Sequence, residues 1–271
     1  MSGLFAEVVG PEAGPGVAEL VLLHGWGLHG GIWEGVARDL AGRYRLWRVD
    51  LPGHGRSALD PALGGAGFTL SALAAAVVEA LAPRLTGPAW WMGWSLGGQV
   101  ALRAALDYAD RVAGLLTVAT TPRFVTAPGW PCAVAPEVLA GFAADLARDY
   151  RATLLRFLAL QARGGDHARE DVRRLRDQVF ARGEPDAQAL RGGLDILAHT
   201  DLRARLGEIA APLLALGGER DTLVPPVAIA ALADGVRAGQ AVILRGAGHA
   251  PFISDRSGFV THVKRFIDAR L

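Results

Sequence analysis

The sequence predicts an α/β protein built on a mostly parallel sheet with helices on both faces. Three observations carry this expectation. Short apolar runs alternate with segments of helical period, turn residues stand at the run boundaries, and one long central stretch replaces the alternation with helix alone. Parallel strands need a crossover of a dozen or more residues, which a helix supplies, so this alternation selects a sheet covered on both sides. The 271 residues, 51% hydrophobic, suffice for one large core and are too few for two enzyme-sized domains with linkers.

The elements follow in order. AELVLLHGWG (18–27) is an apolar run stopped by glycines, and YRLWRVDLPGHGRS (44–57) is a second one stopped by Pro-Gly-x-Gly; both read as buried strands. Between them GIWEGVARDLAG places Ile32, Trp33, Val36 and Leu40 at helical spacing, with Gly42 to end the helix. LSALAAAVVEAL then reads as helix, AWWMGW as strand, GGQVALRAAL as helix and VAGLLTVAT as strand. Later, PLLALGG and QAVILRG are strands with PVAIAALADGV helical between them. Residues 122–193 carry helical stretches with no intervening apolar strand. The expected organisation is a core of residues 1–121 and 194–271, with a helical cap, 122–193, inserted over the sheet.

Composition narrows the function classes. The 28 basic and 27 acidic residues nearly cancel, so no global charge points to nucleic acid or a membrane surface. Lys264 is the only lysine, which marks a compositional bias toward arginine and discounts arginine clusters. Cys132 is the only cysteine; it cannot form an intramolecular disulfide and reads as a free thiol without a role. The start MSGLFAEVVGPEAGPG lacks a basic region followed by an apolar one, and no later stretch has membrane-span length. A soluble, cytoplasmic, monomeric chain without metal or cofactor is the expectation.

GWSLG (93–97) stands between an apolar strand and an Ala-rich helix. A serine hydroxyl needs a base to become nucleophilic and must project clear of the backbone. A strand-to-helix turn tight enough to do so admits only small residues beside it, which accounts for Gly93 and Gly97 around Ser95. The alternative is a serine capping a helix in a glycine-rich turn. Partners separate the two. LRGAGHAPFIS supplies His249 beyond the last predicted strand, and LLALGGERDTLVPP supplies Asp221 beyond the one before, in the chain order serine, acid, histidine. Asp195 and Asp201 are alternative acids, though neither follows a strand. Asp50 follows a strand but precedes the serine, in a Pro-Gly turn suited to local hydrogen bonding. The remaining histidines, His24, His29, His54, His167, His199 and His262, read as structural. Acyl transfer also needs donors aimed at the oxyanion: the N–H of Leu96, after the nucleophile, and that of Trp26, in the loop after the LVLLHG strand.

With LLHGWGLHGGIW, VDLPGHGRS, GWSLGGQVAL, GERDTLVP and GAGHAPFIS in view, the chain resembles the α/β-hydrolase superfamily over essentially its full length. HGWG, GWSLGG, RFLALQ and AGHAPFIS together resemble the family of pimeloyl-[acyl-carrier protein] methyl ester carboxylesterases of biotin synthesis. The resemblance implies an α/β-hydrolase fold, Ser95 as nucleophile, Asp221 as acid, His249 as base, and Trp26 and Leu96 at the oxyanion. It implies substrate contacts at Trp26, Ser95, Leu96 and His249, and along RFLALQ at Phe157, Leu158, Ala159, Leu160 and Gln161. The implied partner is acyl carrier protein bearing a pimeloyl methyl ester, held by arginines of the insertion.

The stretch 148–176 holds eight arginines and four acidic residues, with Arg169, Arg173 and Arg176 at helical spacing. Family positions fall on Arg156, Arg169 and Arg173; a further expected arginine position holds Ala152, with Arg151 beside it as a stand-in. Other readings are a general short-chain carboxylesterase, a carbon–carbon bond hydrolase of the same fold, and a non-catalytic ligand receptor. An aspartate at position 95 would have suggested an epoxide hydrolase or dehalogenase.

Overall fold

The computed structural model describes residues 3–161, 166 and 168–271, and not the side chains of 160, 161 and 168. Among the described residues seven strands form one sheet: β1 (Ala6–Val9), β2 (Glu19–Leu23), β3 (Arg45–Val49), β4 (Ala89–Trp94), β5 (Val112–Val118), β6 (Leu213–Gly218) and β7 (Gly239–Leu244). Their order is β1-β3-β2-β4-β5-β6-β7, with β1 antiparallel to β3 and every other pair parallel. The central strands ELVLL and AWWMGW are buried along their whole length, as a sheet covered on both faces requires. β7, at one edge, is half exposed.

β1 is the element the alternation does not announce. Its four residues, AEVV, are only partly buried at an antiparallel edge, so they lack the continuous apolar run of an interior strand. The register lines up strand ends. Leu23 lies opposite both Val49 and Gly93, and Val118 lies opposite both Trp94 and Leu216. The segments after β2, β3, β4, β5 and β6 therefore emerge at one edge of the sheet, where ligands bind in open parallel sheets.

Helices α1 (Glu34–Leu40), α2 (Leu70–Leu81), α3 (Leu96–Asp107), α8 (Pro226–Asp234), the single turn α9 (Pro251–Ser254) and α10 (Arg256–Asp268) cover the sheet. α2 begins at a Thr69 side chain that accepts from Ala72 N–H, and it buries Leu70, Leu73, Ala74, Val77 and Leu81 at helical spacing. α10 follows the last strand and buries Phe259, Val260, Val263, Phe266 and Ile267.

Between β5 and β6 the chain builds α4 (Pro136–Leu146), α5 (Tyr150–Gln161), α6 (Ala168–Val179) and α7 (Ala187–His199). α7, capped by Asp186 on Gln188 N–H and Ala189 N–H, continues through position 193. Several ties fasten this helical layer to the sheet. Arg182 reaches Asp50, which is fully buried, and also pairs with Glu7 at 2.8 Å. An imidazole nitrogen of His29, Nε2, donates to the Gln178 carbonyl at 2.7 Å, and Asp186 N–H donates to the Gly53 carbonyl at 2.7 Å. Among the described residues no helix is long and apolar enough to cross a membrane.

Candidate active site

Ser95 sits between the last residue of β4 and the first of α3, with φ 53° and ψ −116°. The flanking glycines are required by contact. A Cβ on Gly93 would lie 2.2 Å from the Gly97 carbonyl oxygen, and one on Gly97 would lie 2.5 Å from the His24 carbonyl oxygen and 2.7 Å from that of Leu23. These are backbone atoms, so the turn itself would have to shift. Gly98 is as constrained, with Thr120 Cγ2 2.5 Å from the position its Cβ would take. Thr120 also donates from Oγ1 to the Ser95 carbonyl at 2.7 Å, while Ser95 N–H donates to the Val118 carbonyl at 2.9 Å. Thr120 is a supporting residue that sequence reasoning missed; its only signal is a polar pair after an apolar strand.

The acid and base loops are brought together just as tightly. A Cβ on Gly218 would stand 2.1 Å from the Gly248 carbonyl oxygen, and Arg220 N–H donates to the Ala247 carbonyl at 2.9 Å. In this arrangement Asp221 Oδ2 accepts from His249 Nδ1 at 2.7 Å. The other oxygen, Oδ1, accepts from Leu223 N–H at 2.8 Å and Val224 N–H at 3.0 Å. The carboxylate is therefore oriented before it meets the imidazole. His249 Nε2 is buried and has no hydrogen-bond partner among the described residues. Trp94, the residue before Ser95, donates from Nε1 to the His249 carbonyl at 2.8 Å, and its ring lies 5.8 Å from the imidazole. That contact seats His249 alongside the serine turn.

Neither alternative acid reaches this place. Asp195 is exposed on α7, and Asp201 is held by Arg203 at 2.7 Å and Arg123 at 3.2 Å. Asp50 accepts from Gly30 N–H at 2.6 Å and Arg56 N–H at 2.9 Å, the local role expected, and adds the tie to Arg182. His24 donates to the Gly25 carbonyl and accepts from Leu51 N–H at Nε2, so it is neutral. Burial first, and then the neighbouring His54, holds its pKa well below the usual histidine value. His54 and His29 are lowered as well, mainly by burial. His199 bonds the Asp195 carbonyl, His262 is half-buried on α10, and His167 lies outside the described residues.

Leu96 opens α3, and the first N–H groups of a helix have no intrahelical acceptor, which leaves them available to a developing oxyanion. Trp26 lies in the segment after β2, its ring edge-on to Phe157 at 4.8 Å. Phe157 in turn meets Phe142 edge-on at 5.1 Å. Phe157 and Leu158 are buried, whereas Ala159 is exposed. Among the RFLALQ contacts that the resemblance implies, Ala159 thus differs from Phe157 and Leu158 in exposure. The side chains of Leu160 and Gln161 lie outside the described residues. Ser95, His249, Asp221 and Trp26 are 3%, 1%, 5% and 1% exposed, so all four are buried beneath the surface.

The arginines differ in how free they are. Arg151 is paired with Glu184 and lies over the Phe180 ring, and Arg156 is paired with Asp145 and lies over Phe142. Arg169, Arg173 and Arg176 are exposed on α6 and make no ion pair among the described residues. Arg163 lies outside them.

A strand-to-helix serine followed in the chain by an Asp–His pair, all at one edge of a parallel sheet, defines a serine hydrolase of the α/β type, and the comparisons agree. Residues 19–255 match the family model described as alpha/beta hydrolase fold, and the chain belongs to that family. Within it, the chain belongs with the curated pimeloyl-[acyl-carrier protein] methyl ester esterases. It is 45% identical to the one from Aeromonas salmonicida over 92% of this chain and 95% of that protein, and 46% identical to the one from Xanthomonas campestris pv. campestris, with the same shares covered. Among solved structures it is similar to an esterase from Exiguobacterium antarcticum (TM-score 0.86, 20% identity, 98% of this chain and 95% of that one). It is also similar to the enol-lactonase from Burkholderia xenovorans (TM-score 0.83, 22% identity, 98% and 96%). At these identities the two solved structures speak for the fold alone.

Proposed function

We propose that this chain is a cytoplasmic serine carboxylesterase that hydrolyses the methyl ester of pimeloyl-[acyl-carrier protein] in biotin synthesis. The observation that carries the reading is the buried His249–Asp221 pair beside the Ser95 turn, in a chain 45% identical to esterases of that name. In the reaction His249 Nε2 takes the proton as Ser95 Oγ attacks the ester carbonyl, and Asp221 holds the proton on Nδ1 and stabilises the imidazolium. The oxyanion is received by the N–H groups of Leu96 and Trp26. The imidazolium then protonates the leaving methoxide, releasing methanol, and a water deprotonated by His249 cleaves the acyl-enzyme to give the free carboxylate.

The surroundings suit this substrate. A methyl ester is uncharged, which suits the buried apolar cluster of Trp26, Phe157 and Phe142. The carboxylate produced is strongly disfavoured in such a place without a partner, which favours release of product. We read residues 122–193 as the cap over this site, with α6 as the carrier-facing helix. Arg169 and Arg173, without ion pairs among the described residues, are the better placed contacts; Arg151 and Arg156 would first have to leave their acidic neighbours.

The test compares specificity constants for carrier-bound pimeloyl methyl ester and a small chromogenic ester. Reversing the charge at Arg156, Arg169 and Arg173 is expected to lower kcat/KM for the carrier-bound ester, most at low ionic strength, since rim charges act on association and are screened by salt. The chromogenic ester should be unaffected. Loss on neither substrate would remove the docking role and favour a general carboxylesterase. Retained turnover in Ser95→Ala would remove the mechanism itself.

A further inference from the structure

Helix α7 touches both proposed oxyanion residues through one position. The indole Nε1 of Trp26 donates to the Leu190 carbonyl on α7 at 2.8 Å, with both residues buried. Three residues further along α7, Gly193 faces the same ring. A Cβ there would stand 2.6 Å from Trp26 Cδ1, 3.0 Å from its Nε1 and 3.4 Å from Leu96 Cδ2. α5 also closes on the loop. Phe157 packs edge-on against the indole, and Leu154 Cδ1 would lie 2.3 Å from a Cβ on Gly27, a residue with φ +73°.

A glycine inside a helix destabilises it by about 1 kcal/mol relative to alanine, so its presence at 193 calls for a packing reason, and the ring supplies one. The indole is joined to the Trp26 backbone through only two torsions. With its nitrogen fixed to Leu190 and the ring packed against Phe157 of α5 and Gly193 of α7, the indole leaves the backbone at 26 little freedom. We propose that the gap at Gly193, together with the Leu190 carbonyl, is a seat for the Trp26 indole, and that this seat fixes the Trp26 N–H at the oxyanion position. The indole and Gly193 are thus positioning groups, and seating of α7 is coupled to completion of the oxyanion hole. The inference rests on the hydrolase reading above, and it adds to that reading what holds the donor in place.

The experiment measures kcat and KM on a chromogenic short-chain ester for Trp26→Phe, Gly193→Ala and the double variant, together with inhibition by an alkyl boronic acid that adds to the serine. A misplaced oxyanion donor weakens the transition state and leaves substrate binding alone. Each single change is expected to lower kcat about tenfold or more, with KM within about twofold and boronate affinity falling in parallel. Because both act through one contact, the double variant should be no worse than the poorer single one. Trp26→Phe keeps most of the ring volume, so it remains informative if Gly193→Ala folds poorly. Unchanged kcat in Trp26→Phe, a rise in KM alone, or losses that multiply in the double variant would each overturn the seat. If Ser95→Ala abolishes turnover while Trp26→Phe is silent, the seat fails and the hydrolase reading stands; if Ser95→Ala stays active, the reading itself fails.

Discussion

Asp221→Asn replaces one oxygen by an NH2 group, and the hydrogen bonds around Asp221 dictate where that group goes. Oδ1 accepts from two backbone donors, Leu223 N–H and Val224 N–H, while Oδ2 faces one imidazole nitrogen. The amide oxygen must stay with the two donors, since the reverse orientation would aim NH2 at two N–H groups. The NH2 then meets His249 Nδ1 and can only donate, so Nδ1 becomes the acceptor and the proton moves to Nε2. An imidazole protonated at Nε2 cannot take the proton of Ser95. In serine proteases the same exchange lowers kcat about 10⁴-fold with the geometry intact, equivalent to about 5.4 kcal/mol of barrier at 1.36 kcal/mol per tenfold. The fold should survive, because weakening two charge-assisted hydrogen bonds costs about 1–3 kcal/mol in all, against a typical stability of about 5–15 kcal/mol. The assay is kcat at saturating chromogenic ester, with a thermal melt to confirm folding. Asp195→Asn and Asp201→Asn serve as controls, and both should be close to wild type. An Asp221→Asn enzyme within about tenfold of wild type, or a control that cripples turnover, would refute the tautomer argument and the acid assignment with it.

Two further outcomes concern stability. Arg182→Met strips the fully buried Asp50 of its cationic partner and should destabilise the fold by about 3 kcal/mol in urea melts; a change below about 1 kcal/mol would mean that the Gly30 and Arg56 N–H groups alone satisfy the carboxylate. Acid should also weaken the fold through His24 and His54, whose folded pKa values are depressed while the unfolded ones lie near 6.5. The unfolded chain binds more protons below that pH, so stability is level above about pH 6.5 and falls as pH drops through it, by up to about 1.4 kcal/mol per pH unit for each histidine. Urea melts between about pH 7.5 and 5 read the slope, and His24→Gln should reduce it by about one proton; an unchanged slope would show that His24 does not titrate on unfolding.

The interior strands and the serine turn were legible because each leaves a local mark: continuous apolar runs, and glycines bracketing a serine. Asp221 and His249 were legible from strand ends and chain order alone. β1 was not, since four half-buried residues at an edge carry no continuous apolar run. The supports were hidden for a different reason. Thr120 on the Ser95 carbonyl, Trp94 on the His249 carbonyl and Leu190 on the Trp26 indole are contacts between segments far apart in sequence, made by residue types common in any core. The exposure of Ala159 beside the buried Leu158 depends on how α5 packs, which the run RFLALQ does not reveal. The free or paired state of each arginine depends on acids brought close by folding, as Asp145 is to Arg156 and Glu184 to Arg151.

The backbone at Ser95 has a longer reach than catalysis. A non-glycine residue at φ 53° and ψ −116° sits in a sparsely populated region, and such a conformation raises the energy of the folded state by about 1–3 kcal/mol. Glycine would relieve it, so the substitution that best relaxes the turn is also the one that removes the hydroxyl. Random drift toward greater stability therefore pushes this position toward an inert chain, and only selection for turnover keeps serine there. A design effort that ranks variants by folding energy alone would meet the same gradient and needs position 95 held fixed.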